Sequence, residues 1–291
     1  MKPSESLFLE VRGLRYHVRH WPASSQAAGA PKLFLLHGWM DVSASFQFMV
    51  DELRGKWDVY APDWRGYGLT QWGSSDCYWF PDYLADLDFL LNEIEREKPA
   101  TLIGHSLGGN VVALYAGIRP ERVAKLVNLE GFGLPQTRPE QAPKRYRAWL
   151  DELKEKPGLR PYANFSELSE RLRKNNPRLT PERADFLARH WGREEGGAVV
   201  LRGDPAHKII NPLLYRYEEV RACWQQVSAP VLWVEAVDSD TVKRMKLDPA
   251  ELQERRAAFP SLRFETVRDA GHMLHHDQPA EVARLIEAFV G

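Results

Sequence analysis

The sequence predicts an α/β fold: a mostly parallel, doubly wound sheet of eight strands with a helical insertion after the sixth strand. Short apolar runs such as Lys32–Leu36 alternate with segments of helical periodicity such as residues 82–97. This alternation is typical of parallel sheets with helices on both faces. A strand, a tight turn and a helix follow one another directly around Gly104–Gly108. The alternation stops over residues 132–226 and resumes with Pro230–Glu235.

The predicted elements define a core, residues 1–131 and 228–291, and a helical cap, residues 132–227. The predicted strands are two segments around Gly13 within residues 7–21, then 32–36, 57–61, a strand ending at Ile103, 122–129, 230–235 and 262–267. The predicted helices are 43–53, 82–97, a helix from Asn110 onward, 144–155, 165–174, 181–191, 249–259 and 280–290.

Composition and charge narrow the classes of partner. The 291 residues show no obvious repeat and carry a formal net charge of −1 with both signs interspersed, so we expect neither nucleic acid nor an anionic membrane as a partner. Cys77 and Cys223 lie far apart, which favours reduced thiols over a disulfide framework. The polar N-terminal segment and the lack of a membrane-length apolar run predict a cytoplasmic protein. Nothing in the sequence indicates an oligomeric state.

The segment Gly104-His105-Ser106-Leu107-Gly108 has the spacing G-x-S-x-G between a predicted buried strand and a predicted helix. A strand that turns straight into a helix brings the two flanks of the turn together, so a Cβ at position 104 or 108 would collide. Ser106 is expected at the point of the turn, in a strained conformation, with its hydroxyl exposed and near the positive end of the helix dipole. This context predicts that Ser106 is a nucleophile and not part of a plain glycine-rich turn.

The third predicted strand ends in His37-Gly38-Trp39, where the glycine lets the backbone approach a ligand closely. Acyl transfer needs two N–H donors directed at the oxyanion that develops on the substrate. We predict that the amides of Trp39 and Leu107 are these donors, and that His37 packs against the loop and orients it.

Two further loops contain polar residues. The loop after the fourth strand begins Asp63-Trp-Arg65 and is glycine-rich; we predict a structural role with a buried ion pair between Asp63 and Arg65. A late loop contains Gly271-His272 after a predicted strand. A serine hydroxyl needs a base within hydrogen-bond reach, and histidine has the suitable pKa. We therefore predict that His272 is the base and that His275 and His276 are packing or solvent residues beside it.

Four motifs together resemble the α/β-hydrolase family: His37-Gly38-Trp39, Asp63-x-Arg65-Gly66-x-Gly68, Gly104-x-Ser106-x-Gly108 and Gly271-His272. The resemblance covers about residues 1–131 and 228–291. His-Gly-Trp-x-Asp followed by Ser-Phe is similar to a lid-bearing, serine hydrolase-like branch related to epoxide hydrolases and haloalkane dehalogenases. Those two groups use an aspartate nucleophile, so Ser106 disfavours their chemistries. The resemblance also implies the chain order serine, acid, histidine, which His272 completes.

The resemblance leaves the acid of the triad open. Most relatives carry it after the seventh strand as Gly-x-x-Asp, but here Ala236 replaces the glycine and Ser239 the aspartate, with Asp238 and Asp240 on either side. Some dehalogenases place the acid at the end of the sixth strand, where this chain has Glu130. We predict Glu130 as the acid and keep Asp238 and Asp240 as alternatives.

These residues predict a serine hydrolase that cleaves a small carboxylic ester through an acyl-enzyme, with a small-molecule acyl substrate and no metal or organic cofactor. A carbon–carbon bond hydrolase or an amidase would use the same triad, and both remain alternatives. A third alternative is a ligand-binding sensor on a hydrolase scaffold with slow turnover. Substrate choice is expected to lie in the cap, because insertions carry specificity on a shared scaffold.

Overall fold

A computed structural model describes residues 1–23, 29–74, 76–155 and 157–291 of the chain. Within these residues the strands are β1 Glu5–Val11, β2 Leu14–Trp21, β3 Lys32–Leu36, β4 Asp58–Pro62, β5 Ala100–His105, β6 Val123–Leu129, β7 Gly192–Glu195, β8 Ala198–Leu201, β9 Val231–Ala236 and β10 Leu262–Val267. Eight of them form one sheet in the order β1-β2-β4-β3-β5-β6-β9-β10. β2 is antiparallel to β1 and β4, and all other neighbours are parallel. This arrangement confirms the predicted fold class.

The α-helices in the described ranges are α1 Gln47–Glu52, α2 Phe80–Ile94, α3 Leu107–Ile118, α4 Ala142–Lys154, α5 Phe165–Asn175, α6 Pro181–Trp191, α7 Tyr217–Trp224, α8 Thr241–Met245, α9 Pro249–Ala257, α10 Leu274–Asp277 and α11 Pro279–Val290. Helix α2 shows why the predicted helices form. Its buried residues include Tyr83, Leu87, Leu90 and Leu91, spaced so that one face of the helix meets the sheet. No helix in the described ranges is both long enough and apolar enough to cross a bilayer.

Helices cover both faces of the sheet. On one face, residues of α2, α3 and α7 form a core cluster with alternate strand residues such as Phe34 and Leu102. On the other face, α1 and α11 pack against Leu33, Leu35 and Ile103. The central strands are therefore buried on both sides, which explains their continuous apolar sequences.

The segment between β6 and β9, which we call the inserted segment (residues 132–227), contains α4 to α7 and a small antiparallel hairpin of β7 and β8. Helices α5 and α6 share a separate apolar cluster that includes Leu168 and Leu187. The hairpin was not predicted, because β7 is Gly-Arg-Glu-Glu and has no strand-like alternation. A Gly196-Gly197 turn with positive φ at both residues joins the two strands, as a tight hairpin requires.

Candidate active site

The carboxyl ends of the parallel strands meet at one edge of the sheet and bring the predicted site residues together. Ser106 directly follows β5, and Glu130 directly follows β6. His272 lies in the loop between β10 and α10, and Trp39 lies in the loop after β3. In open α/β sheets this edge is where ligands bind.

Ser106 occupies the sharp turn that its glycines predict. Its φ of 52° and ψ of −112° lie outside the usual regions for a non-glycine residue. A Cβ on Gly104 would lie 2.3 Å from the carbonyl oxygen of Gly108, and a Cβ on Gly108 would lie 2.0 Å from that of Leu36. The predicted steric need for glycine at both positions is thus confirmed. The strained backbone holds the Ser106 hydroxyl at the beginning of α3, beside the unpaired N–H groups of the first turn.

Three side chains form a continuous hydrogen-bonded series. His272 Nε2 lies 3.0 Å from Ser106 Oγ, and His272 Nδ1 lies 3.1 Å from Glu130 Oε2. With Nδ1–H donating to the carboxylate, Nε2 presents a lone pair to the serine hydroxyl. A serine, a histidine and a carboxylate joined in this order have the geometry that can activate a serine hydroxyl.

Glu130 is held in place by its own turn and by β9. Its φ is 59°, and the turn is fixed by Asn128, whose side-chain amide both donates to the carbonyl of Gly131 and accepts from its N–H, each at 2.8 Å. The buried Glu130 carboxylate accepts the Ala236 N–H at 2.8 Å through Oε1 and the Ser239 hydroxyl through Oε2. These donors offset the cost of burying the carboxylate.

The two alternative acids lie away from His272. Asp238 pairs with Arg178 at 2.8 Å, and Asp240 pairs with Arg244 at 3.0 Å. Both carboxylates are largely exposed, with side-chain exposures of 44% and 66%. Of the three carboxylates considered, only Glu130 contacts the imidazole.

The loop His37–Trp39 passes directly over the serine. A Cβ on Gly38 would lie 3.3 Å from Ser106 Cβ and 3.0 Å from His105 Nδ1. In the part of the chain that the structure describes, neither the Trp39 N–H nor the Leu107 N–H donates to another group. Both amides are therefore candidates for the two donors that an oxyanion hole requires.

Two buried histidines support these loops in their neutral form. His37 accepts the Trp64 N–H at Nε2, 2.9 Å away, and donates from Nδ1 to the Gly38 carbonyl at 2.8 Å. Burial lowers the pKa of His37 to about 4, although the Asp63 charge opposes the shift. His105 Nε2 donates to the His272 carbonyl at 2.8 Å, and burial holds the pKa of His105 well below its ordinary value.

The predicted ion pair between Asp63 and Arg65 was wrong. Asp63 pairs with His17 at 2.7 Å and also accepts the backbone N–H groups of Ser43 and Leu69. Burial alone would raise the pKa of Asp63, but His17 outweighs it and holds the pKa below its ordinary value. Arg65 instead pairs with Asp86 on α2 through two hydrogen bonds of 2.5 and 2.6 Å. Asp86 lies well beyond this loop in the sequence, so sequence spacing alone favoured Asp63 as the partner of Arg65.

The loop of His272 is tied to the inserted segment. The Asp277 carboxylate accepts the Gly271 N–H at 2.8 Å and the Asn176 side-chain N–H at 2.7 Å. His275 and His276 follow in α10 and are fully buried. They are therefore packing residues, which was one of the two predicted alternatives, and not solvent-exposed residues.

A largely apolar cavity of about 260 Å³ opens beside Leu107, between α3 and the inserted segment. The residues that line it include Asn110 and Leu114 of α3, Trp79 before α2, and Leu134 and Leu213 of the inserted segment. Trp79, Leu134 and Leu213 are about half exposed, at 50%, 49% and 45%. An apolar group bound here would lie next to the turn of residues 104–108 that contains Ser106, which we call the serine turn.

Sequence reasoning missed two hydroxyl groups of the site. Ser239 donates to Glu130, and Thr241 Oγ1 lies 3.1 Å from His272 Nδ1. Both lie in the segment where an aspartate was expected, and the substitution of Ser239 for that aspartate was the available signal. Asn128 was missed as well, because nothing in a strand sequence marks a residue that clamps the following turn.

Comparison with known proteins agrees with this architecture. The serine hydrolase-like protein of Danio rerio is 27% identical over 270 residues, which is 90% of this chain and 82% of that protein. Esterase YbfF of Escherichia coli is 23% identical over 95% of this chain and 99% of its own length. A thioesterase domain from the curacin biosynthetic pathway has the same fold, with a TM-score of 0.86, 23% identity and coverage of 98% of this chain and 99% of that domain.

The family model described as alpha/beta hydrolase fold matches residues 31–279. That range includes the serine turn, Glu130 and the His272 loop, and it spans most of the chain. The chain therefore belongs to the alpha/beta hydrolase fold family.

Proposed function

We propose that this protein is a serine hydrolase that cleaves carboxylic esters with a short to medium apolar acyl chain through an acyl-enzyme. The observation that carries the proposal is the series Ser106, His272 and Glu130, joined at 3.0 and 3.1 Å. The serine hydrolase-like and esterase names of its relatives support the same class of reaction.

In the proposed reaction, His272 Nε2 takes the proton of Ser106 Oγ as the oxygen attacks the acyl carbonyl carbon. The amides of Trp39 and Leu107 donate to the oxyanion, and Glu130 stabilises the imidazolium that forms. His272 then gives the proton to the alcohol oxygen as the ester C–O bond breaks, and the acyl group stays on Ser106 Oγ. In the second half of the cycle, His272 takes a proton from water as the water oxygen attacks the acyl carbon. The bond to Ser106 Oγ breaks, His272 returns the proton to Oγ, and the carboxylic acid leaves.

The cavity beside Leu107 supports the choice of acyl group. Its volume of about 260 Å³ is below the ~300–1,000 Å³ typical of sites for drug-sized ligands. Its lining is mainly apolar, although Arg145, Arg216 and Glu219 also contribute to it, and it therefore suits a hydrocarbon chain. We propose that the inserted segment acts as a cap that sets this selectivity, since Leu134 and Leu213 belong to it.

A panel of p-nitrophenyl esters from acetyl to palmitoyl, with matching p-nitroanilides, tests the proposal. We expect turnover of the esters, with the highest kcat/KM for short to medium chains, much slower turnover of the anilides, and only background rates for Ser106→Ala. Ester rates no higher than those of Ser106→Ala would overturn the proposal and favour a ligand-binding role. Faster anilide cleavage would overturn the choice of ester.

A further inference from the structure

A second cluster of ionisable side chains, Asp41, His275 and His276, lies close to His105, the residue before Ser106. Asp41 follows the His37–Trp39 loop, and His275 and His276 lie in α10. One ligand atom from each of the three residues lies within 4.8 Å of the other two. All three residues are buried, with exposures of 2%, 0% and 2%.

Several polar atoms of this group lack partners. Asp41 Oδ1 accepts the Val42 N–H and the Ser45 hydroxyl, but Oδ2 has no partner among the described residues. The same holds for both ring nitrogens of His275 and for Nε2 of His276. Leaving buried polar atoms unpaired destabilises a folded protein, so such atoms call for an explanation.

We propose that Asp41, His275 and His276 bind one transition-metal ion, and we take Zn²⁺ as the ion to test. Two imidazole nitrogens and a carboxylate oxygen are a donor set that such ions take in proteins, with solvent or another donor completing the coordination. The donor atoms lie within 4.8 Å of one another and would move closer together to reach the ~2.0–2.2 Å of zinc ligands around one ion.

The surroundings orient the donors as an outer shell of a metal site does. The Ser45 hydroxyl donates to Asp41 Oδ1, so Oδ2 is the carboxylate oxygen without a partner among the described residues. Nε2 is the ring nitrogen of His276 in the same state. Outer-shell contacts of this kind fix the orientation of the ligating atoms.

The position of the site gives the ion a structural effect. Asp41 comes two residues after Trp39, and His275 comes three residues after His272. The His105 ring lies between the two sites, with its centroid 4.8 Å from that of His272 and 4.5 Å from that of His275. A bound ion would connect the loop of Trp39 to the loop of His272 and stabilise the fold, whatever reaction the triad performs.

Metal-free protein, prepared with a chelator, is titrated with Zn²⁺ by calorimetry and with Co²⁺ by visible absorption. Because the donors are buried, the metal is offered both to the folded protein and during refolding from urea. We expect one equivalent per chain, a rise in Tm, and ligand-field bands for Co²⁺ that indicate nitrogen and oxygen donors. Asp41→Asn, His275→Gln and His276→Gln should each weaken binding by more than the ~10–100-fold typical of losing an outer-shell partner.

Two control variants locate the ion. His190→Gln removes another partly buried imidazole, one bonded to the Phe186 carbonyl at 2.9 Å, and should keep wild-type affinity. His272→Ala should also keep it, because the site does not include the triad. Each variant is first checked by circular dichroism, and if Asp41→Asn does not fold, His276→Gln decides. The proposal would be overturned if the protein bound no equivalent of metal, whether the metal is added to the folded protein or during refolding. It would also be overturned if His276→Gln bound metal as well as wild type, or if His272→Ala lost binding.

Discussion

Ser239 donates its hydroxyl to Glu130 Oε2, the same oxygen that lies 3.1 Å from His272 Nδ1. The position after β9 where most relatives are expected to carry the acid thus holds a hydrogen-bond donor to a carboxylate at the end of β6. The glutamate at position 130 explains why position 239 holds no acid, because a carboxylate there would face Glu130 directly and repel it. The serine at one strand end and the glutamate at the neighbouring strand end are therefore parts of one arrangement.

Glu130→Gln should lower the kcat for ester hydrolysis by ~10²-fold or more. The amide cannot stabilise the imidazolium, and it no longer selects the tautomer that Ser106 needs; the comparable loss in serine proteases is ~10⁴-fold. Asp238→Asn and Asp240→Asn should stay within a few-fold of wild type, because both carboxylates form exposed surface pairs. Steady-state kinetics at matched fold stability checks this. If either aspartate variant lost its activity while Glu130→Gln kept a near-normal kcat, the acid would lie after β9.

Ser239→Ala should lower kcat by a smaller factor, roughly 5–10-fold, since it removes one donor of about 1 kcal/mol from the carboxylate but leaves the Ala236 N–H in place. Thr241→Val is the matched control for the second hydroxyl near His272 Nδ1 and should cost less, because Glu130 still accepts the Nδ1–H. A fall in Ser239→Ala as deep as that of Glu130→Gln would show that the hydroxyl does more than support the acid.

Leu114→Trp should narrow the substrate range. Leu114 lines the cavity beside Leu107, and the larger ring would fill space that a longer acyl chain needs. We expect kcat/KM for the octanoyl ester to fall ~10-fold or more relative to the acetyl ester, in line with the value of one or two methylene contacts. The control Leu150→Trp changes a leucine of α4 that is 51% exposed and does not line this cavity. An unchanged ranking of esters in Leu114→Trp would show that this cavity does not select the acyl chain.

Stability should fall as the pH drops below about 6.5. Burial lowers the pKa of His37 to about 4 and those of His207 and His276 to about 3. Between these values and 6.5 the unfolded chain binds protons that the folded chain does not, so the free energy of unfolding rises with pH over that window. Asp41, with its pKa raised to about 7, acts in the opposite direction but is one group against several.

Urea unfolding at a series of pH values measures this slope. His207→Gln should make it shallower by up to one proton, in addition to losing the stacking of His207 on Tyr67 and Tyr78. The control Lys208→Gln alters a neighbouring charge without removing an imidazole and should leave the slope unchanged. A free energy of unfolding that stays constant or increases from pH 6.5 to about 4 would contradict the buried neutral histidines.

The sequence alone was sufficient for the parts of the molecule that depend on local pattern. Apolar runs gave the central strands, helical spacing gave α2 and α6, and the glycines around Ser106 gave the turn. These features are set by burial on both faces and by close backbone approach, and both leave a mark within a few residues. Boundaries were less accurate: α3 begins at Leu107, not at Asn110, because the helix starts within the turn itself.

Contacts between distant residues were not predictable in the same way. Arg65 pairs with Asp86 because α2 packs beside the loop, and no spacing in the sequence indicates that packing. The contact of Glu130 with His272 was one of three open alternatives until the strand ends were brought together. The cluster of Asp41 with His275 and His276 joins residues more than two hundred positions apart. Such pairings depend on the tertiary fold.

The most direct test of the proposed nucleophile is to label the folded protein with a fluorophosphonate and locate the adduct by peptide mass spectrometry. We expect one adduct per chain, on Ser106, with labelling slowed ~10²-fold or more in His272→Ala and absent in Ser106→Ala. An adduct on another serine with Ser106 unmodified, or no adduct on the folded wild-type protein, would contradict the assignment of Ser106 as the nucleophile.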